Sequence, residues 1–208
     1  MTSYRDLNIS AKMNLAFAAI IALTLILGMM SVMKMRELNS FVREMNTHYL
    51  PAIDTLEKLK TDLTRFRMEE MACLHQDSQA DYDWHYAQLA EQKRLIGVNL
   101  EQLSGLSRTC GSHLSFPELA ATWDKIQNQN RERLSLDRSG EIKAARQALE
   151  NVGNPSYALM LDSLEAMIRR HLADSETLGE AADNAYAFSA MMILLTLGLV
   201  ALRSAVLA

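Results

Sequence analysis

Three prolines and eight glycines in 208 residues leave the chain few helix breakers, and aromatic side chains make up only 6% of it. That scarcity argues against a β-sandwich and for long helices. The formal charge of -4 is small and both signs are interspersed, so there is no basic stripe for nucleic acid, which is excluded as a partner. Catalytic signatures are missing as well. No Gly-rich phosphate loop follows a strand, and neither a Gly-x-Ser-x-Gly elbow nor a His-Glu-x-x-His pair occurs. The chain is therefore expected to be no enzyme and to use no cofactor. Internal repeats and low-complexity tracts are also lacking.

What is abundant is apolar. Hydrophobic residues make up 49% of the sequence and thirteen residues are Met, many of them in or beside two charge-free runs. The first, Leu15 to Met33, is long enough to cross a hydrocarbon core of about 30 Å at roughly 1.5 Å per helical residue. It exceeds the apolar core of a signal peptide and ends in Ser31-Val32-Met33-Lys34-Met35 rather than an Ala-x-Ala site. The second, Ala185 to Leu202, carries Tyr186 at its edge and is closed by Arg203. Arg5, Lys12 and Arg203 place both termini in the cytoplasm; Lys34 and Arg36 oppose this weakly, and a long loop translocates largely regardless of charge. The expected organisation is a two-pass inner-membrane protein: a cytoplasmic N-terminus at 1–12, spans at 13–33 and 185–202, an outer domain at 34–184 and a cytoplasmic end at 203–208.

The outer domain reads as all-α. From Met35 the positions Leu38, Val42, Met45, Tyr49, Ala52, Leu56, Leu59, Leu63 and Phe66 alternate steps of three and four, the seam of a helix packed in a bundle. Pro51 removes a donor facing the Thr47 carbonyl and is expected to kink this helix without ending it. The same period runs back from the second span through Ala185, Ala182, Leu178, Ser175, His171, Ile168, Leu164, Leu161 and Tyr157. That helix is marked at its start by Gly153-Asn154-Pro155-Ser156. Two further helices are expected between them. One runs from about Gln79 to Ser107 with Trp84, Leu89, Leu95, Ile96, Leu100 and Leu103, and the other from Phe116 through Trp123, Ile126 and Leu134 to Leu136. Gln76-Asp77-Ser78 offers N-caps, and Thr109-Cys110-Gly111-Ser112 breaks the chain. Arg138-Ser139-Gly140 precedes a short amphipathic piece, Glu141 to Leu149. Four such helices with short connections imply an antiparallel up-down four-helix bundle whose first and last helices continue into the spans.

The N-terminal stretch Asn8-Ile9-Ser10-Ala11-Lys12-Met13-Asn14-Leu15-Ala16-Phe17 resembles the start of bacterial methyl-accepting chemotaxis receptors with a four-helix-bundle sensory module. Gly28-Met29-Met30, Tyr49-Leu50-Pro51-Ala52-Ile53, Arg65-Phe66-Arg67 and Ser139-Gly140-Glu141 with Ala144-Ala145 are similar too. The resemblance covers nearly the whole chain. It implies a homodimer in the bacterial inner membrane that binds a small molecule or partner protein in the periplasm and passes a small shift of its last helix through the second span. The sequence ends at Ala208, ahead of the HAMP linker and methylated signalling hairpin of such receptors, and so reads as the sensory portion of a longer receptor or as a stand-alone module. Related modules also head some histidine kinases and diguanylate cyclases, so the output stays open.

Arg65 and Arg67 stand about 45–50 Å above Lys34 at helical rise. An equal count up from Ala185 reaches Asn154 and Tyr157. A bidentate arginine at a helix interface suits a carboxylate, which makes these four the candidate ligand-binding residues. The competing reading is a pair of solvated ion pairs, Arg65 with Glu69 and Arg67 with Glu70. Glu70, His171 and Ser175 are polar at seam positions, where they could fix register, line a cavity or, for His171, sense pH; a hydrogen-bonded packing histidine is the alternative, and His48 should stand at a similar height. His75, Asp77, Asp81 and His85 cluster near a hairpin but match no zinc template, so no metal site is expected. Cys73 and Cys110 would lie about 40 Å apart, beyond disulfide reach. A structural or scaffolding membrane protein, whose bundle merely mediates assembly, is the rival to a sensor.

Overall fold

The computed structural model describes residues 9–74, 78–110 and 116–207, with side chains at 10, 13–15, 17–74, 78–106 and 116–198. Helix is the only regular secondary structure among them. The helices are α1 (Ile9–Glu44), α2 (Leu50–Cys73), α3 (Gln79–Cys110), α4 (Phe116–Arg138), α5 (Ile142–Ala148) and α6 (Asn154–Leu207). Two π-helical turns, Met45–Tyr49 and Leu149–Gly153, stand before α2 and α6. The chain divides into two compact units, one of residues 45–175 and the other of residues 1–44 with 176–208.

In the first unit, side-chain contacts give the directions of the helices. On α2 and α3, Glu69 meets His85 and Asp62 meets Asn99, so the two run antiparallel. Phe66 meets Trp123 and Glu70 meets Asn130, so α4 runs parallel to α2. Thr64 meets Tyr157 and Lys60 meets Glu165, which sets α6 antiparallel to α2. This is the up-down order of a four-helix bundle. Its core is the joined apolar stripes of these helices: Leu56, Leu59, Leu63 and Phe66 from α2, Leu89, Ile96 and Leu103 from α3, Leu119, Trp123 and Ile126 from α4, and Met160, Leu164 and Ile168 from α6. No helix could bury such a stripe alone, and the removal of these side chains from water is the main driving force for the bundle.

The helix entries have local causes. Pro51 lies within the first turn of α2 and cannot donate toward the Thr47 carbonyl, and the helix absorbs this with a π turn instead of an open break. Ser78 caps α3, its Oγ accepting from Asp81 N at 3.2 Å and donating to the Asp81 carboxylate at 2.7 Å. Helix α4 closes with Glu141 N donating to Leu136 O and Gly140 N to Asp137 O, and Gly140 takes φ +82°. Gly153-Asn154-Pro155-Ser156, expected to mark the start of the last helix, does so: α6 begins at Asn154, joined to α5 by the second π turn with Asn154 N donating to Leu149 O.

Two side-chain expectations fail. Trp84 is 57% exposed and Leu95 half-buried, while Gln92 and Asn99 are buried. The seam of α3 runs Leu89, Gln92, Ile96, Asn99, Leu103, and Trp84 lies off its extension through His85. The chain break expected from Thr109 comes later, since α3 reaches Cys110; Gly111 and Ser112 lie outside the described residues, as do Gln76 and Asp77.

In the second unit, α1 and the end of α6 carry apolar side chains outward, among them Met29 and Leu194, each 70% exposed. A largely apolar cleft of about 300 Å³ lies between them, lined by Leu27, Met30, Phe188 and Met192 among others. Among the described residues one helical segment, Met13–Cys73, is long and apolar enough to cross a membrane, and none of its apolar window is buried. Arg5, the Lys12 side chain and the Arg203 side chain, which carry the expected orientation, lie outside the description.

Candidate functional site

The buried stripe of α2 is mostly apolar as far as Phe66, with Thr55 and Asp62 among it, and continues in the charged pair Arg67 and Glu70. A buried guanidinium must find acceptors, because arginine cannot shed its proton. Arg67 finds three. Its Nη1 donates to Glu70 Oε2 at 3.0 Å, and its Nη2 donates to Leu149 O at 3.2 Å and to Asn154 Oδ1. Its guanidinium also sits 5.7 Å from the Tyr157 ring centroid. One side chain of α2 thus grips the π turn and the first turn of α6 together. The contact is close on the π turn too, since a Cβ on Gly153 would stand 3.2 Å from Arg67 Nη1.

Glu70 carries the network onward. Its Oε1 accepts from Asn130 Nδ2 on α4, and Asn130 Oδ1 accepts from Lys93 Nζ on α3. Arg133, one turn beyond Asn130 and only 2% exposed, brings its Nε to 3.8 Å from the same Oε1, too long for a hydrogen bond. All three guanidinium nitrogens of Arg133 are buried without a hydrogen-bond partner among the described residues. Three buried or half-buried cations therefore surround one carboxylate. Burial pushes the Lys93 ammonium below its usual value, Arg133 and Arg131 push it the same way, and Glu70 opposes them.

Beside this network is a narrow cleft, in part open to solvent. Its polar lining comes from Glu70, Gln129, Asn130, Arg133 and Tyr157, and its apolar lining from Ile126, Ala148 and Leu149. Helices α2, α4 and α6 and the π turn all contribute to the network or its walls.

Residues 6–186 match the family model described as a four helix bundle sensory module for signal transduction. The chain belongs to this family. No match was found among curated proteins or among solved structures. The family is a sensory, signal-transducing one and not a catalytic one.

Within this sensory module, three of the four residues singled out for ligand binding come together, with Arg67 touching both Asn154 and Tyr157. Arg65 is exposed and apart from them; its charge lowers the pKa of Asp62, whose carboxyl is nonetheless pushed up by burial. Of the ion pairs expected on α2, Arg67 with Glu70 forms, but buried rather than solvated, and Glu69 is engaged by His85 at 2.6 Å. Sequence reasoning missed Lys93, Asn130 and Arg133. The signal was there: Leu119, Trp123, Ile126, Asn130 and Arg133 keep the three-four period, but a search for apolar residues passes over Asn130 and Arg133 and resumes at Leu134.

The remaining polar seam positions are separate from this site. His171 is buried against the Tyr49 ring at 6.1 Å, and neither ring nitrogen has a hydrogen-bond partner among the described residues. Burial pushes its imidazole below 6.5; Asp174 raises it and Arg170 lowers it further. The aromatic facing His171 is therefore Tyr49, next to His48 in sequence. Ser175 is half-buried and donates to Leu172 O. Asp81 is used in the cap of α3 and His85 in its contact with Glu69, while His75 and Asp77 lie outside the described residues. Among the described residues no group of acidic, Cys or His side chains is arranged to hold a metal. Cys73 is free and buried, and its thiol is pushed up to about 11, chiefly by burial.

Proposed function

We propose that the chain is the sensory part of a transmembrane chemoreceptor: it binds a small molecule outside the membrane and transmits the event as a shift of α6 through a second span. The observation that carries this reading is the grip of Arg67 on Leu149 O and Asn154 at the head of α6. A solute that competes for that guanidinium, or reinforces its hold, changes the relative stability of two packings of α6. Only such a difference in affinity moves a conformational equilibrium. The π turn at Leu149–Gly153 supports the idea, since π turns recur at functional sites and can move in register. Its ligand would be a small molecule with a carboxylate, held by Arg67, Asn154 and Tyr157, the charge and geometry for which arginine is suited, while Arg65 stands apart from that set.

The reading includes two spans, at 13–33 and 185–202, both termini in the cytoplasm of a bacterial inner membrane, a periplasmic bundle and a homodimer. The exposed apolar side chains of the second unit support the spans, because a surface of that kind is costly in water and at rest in lipid. Chemotaxis is the output favoured by the receptor resemblance; a kinase or cyclase output would use the same sensory step.

The test is a chimera in which the full chain is joined after Ala208 to the signalling region of a methyl-accepting receptor and expressed in cells lacking other receptors. External small molecules, organic acids first, are expected to change swimming bias. An inserted, folded chimera that stays silent to every compound would instead favour an assembly scaffold.

A further inference from the structure

Arg133 stands out from every other charge in the bundle. It is among the largest fully buried side chains, and none of its three guanidinium nitrogens has a hydrogen-bond partner among the described residues. Its nearest anion, Glu70, is already engaged by Arg67 and Asn130. The Glu70 carboxylate, 3.8 Å from Arg133 Nε, offsets the charge of the guanidinium but accepts no hydrogen bond from it; buried donors without acceptors are expensive, and a lysine could escape the cost by losing its proton whereas arginine cannot. The local balance leans the same way, with Arg67, Lys93 and Arg133 gathered around the Glu70 carboxylate. Beside the guanidinium lies the cleft, whose other wall is aliphatic, from Ile126, Ala148 and Leu149.

We infer that Arg133 anchors a small carboxylate within a single protomer: the anion lies on the guanidinium fork and a short alkyl tail on the Ile126, Ala148 and Leu149 wall. The inference rests on the sensory reading and moves the anchor of its carboxylate from Arg67 to Arg133, at a site inside the bundle. The planar fork donates two parallel hydrogen bonds to the two oxygens of a carboxylate, whereas chloride, a single acceptor centre, takes them only bent toward one point. Asn130 and Gln129, which line the same cleft, supply further polar contacts; Gln129 Oε1 has no hydrogen-bond partner among the described residues, and its Nε2 donates to Ser156. A ligand here would touch the π turn through Leu149 and reach Arg67 through Glu70, so that occupancy bears on the head of α6.

The experiment uses the full chain in lipid nanodiscs, with acetate, propionate and butyrate as probes and sodium chloride at matched ionic strength as control. Thermal unfolding and calorimetric titration are read together. At about a hundredfold excess over Kd, a bound carboxylate should raise Tm by roughly 5–10 °C. Arg133→Met should show no such rise, while its Tm without carboxylate equals or exceeds that of the unsubstituted chain, because a buried guanidinium with unsatisfied donors has been removed and Glu70 keeps Arg67 and Asn130. Arg133→Lys keeps the charge but not the fork, and should weaken carboxylate binding at least tenfold. The inference is overturned if no carboxylate shifts the unsubstituted chain, if the shift persists in Arg133→Met, or if Arg133→Lys binds as well as arginine. A chimera with Arg133→Met that still responds to its stimulus would leave the sensory reading standing while removing this site from it.

Discussion

Which side chain sits on a seam decides its role here more than its chemistry does. Ala52, Leu56, Leu59, Leu63 and Phe66 were readable as core because they are apolar and correctly spaced, and all five are buried. Asn130 and Arg133 keep the same spacing but are polar, so a search for apolar stripes passes over them. Conversely, Trp84 is apolar but out of phase, and it faces solvent. His171 was legible as a polar seam residue, though its partner ring was not. Its titration gives a prediction with a definite sign. Burial holds the imidazole neutral in the fold and depresses its pKa, while the unfolded chain takes up a proton near 6.5. The stabilisation due to the neutral ring is thus complete above about pH 6.5 and is lost as pH falls below it. One unit lower, the loss is at most about 1.4 kcal/mol. Thermal melts of the chain at pH 7.5 and pH 5.5 should show a larger drop for the native sequence than for His171→Gln. Equal drops would mean that the imidazole is charged, or free to charge, inside the fold.

Helices were easier to read than the joints between them. A helix with a buried face repeats its signal over several turns, whereas a π turn is a single backbone adjustment with no side-chain signature. Pro51 gave notice of a disturbance in α2, and the helix answered with a π turn ahead of it. Pro155 marked the start of α6 but could not reveal that a second π turn would bridge α5 and α6. The turn after α4 is the joint whose sequence is explicit. Gly140 sits at φ +82°, where a Cβ is strained, although no neighbouring atom lies within 4 Å of the place it would occupy. Backbone strain alone should therefore govern Gly140→Ala, with a cost of about 1 kcal/mol. Denaturant unfolding of the two chains should show that loss in the midpoint with little change of slope. No loss would mean that the turn relaxes into another conformation, and with it the geometry that delivers α5 to Leu74 and Leu136.

On the scale of the molecule, the family and the helical bundle were legible because both are patterns spread over the chain. Association with a second copy, part of the proposed receptor, is decided instead by surfaces, which carry no periodic signal. On α2, Met68 is 64% exposed and Met71 49% exposed, and residues three apart on a helix share a face. Neither contributes to the buried stripe that runs through Phe66, Arg67 and Glu70. A homodimer joined along α2 would cover these thioethers, whose flexible, polarisable side chains suit an adaptable interface. In a Cys73→Ala, Cys110→Ala background, Met68→Cys should then form a cross-linked dimer in membranes under mild oxidation or with a short bis-maleimide. A cysteine at Asp124, exposed on α4, should stay monomeric under the same treatment. Cross-linking at neither position, in a chain that is otherwise folded, would remove α2 as the dimer face; cross-linking at both to the same extent would indicate random collision. Specific linkage at Met68 would bring the Arg67 grips of two protomers near one another across the dimer, one residue along the same helix from the tested position.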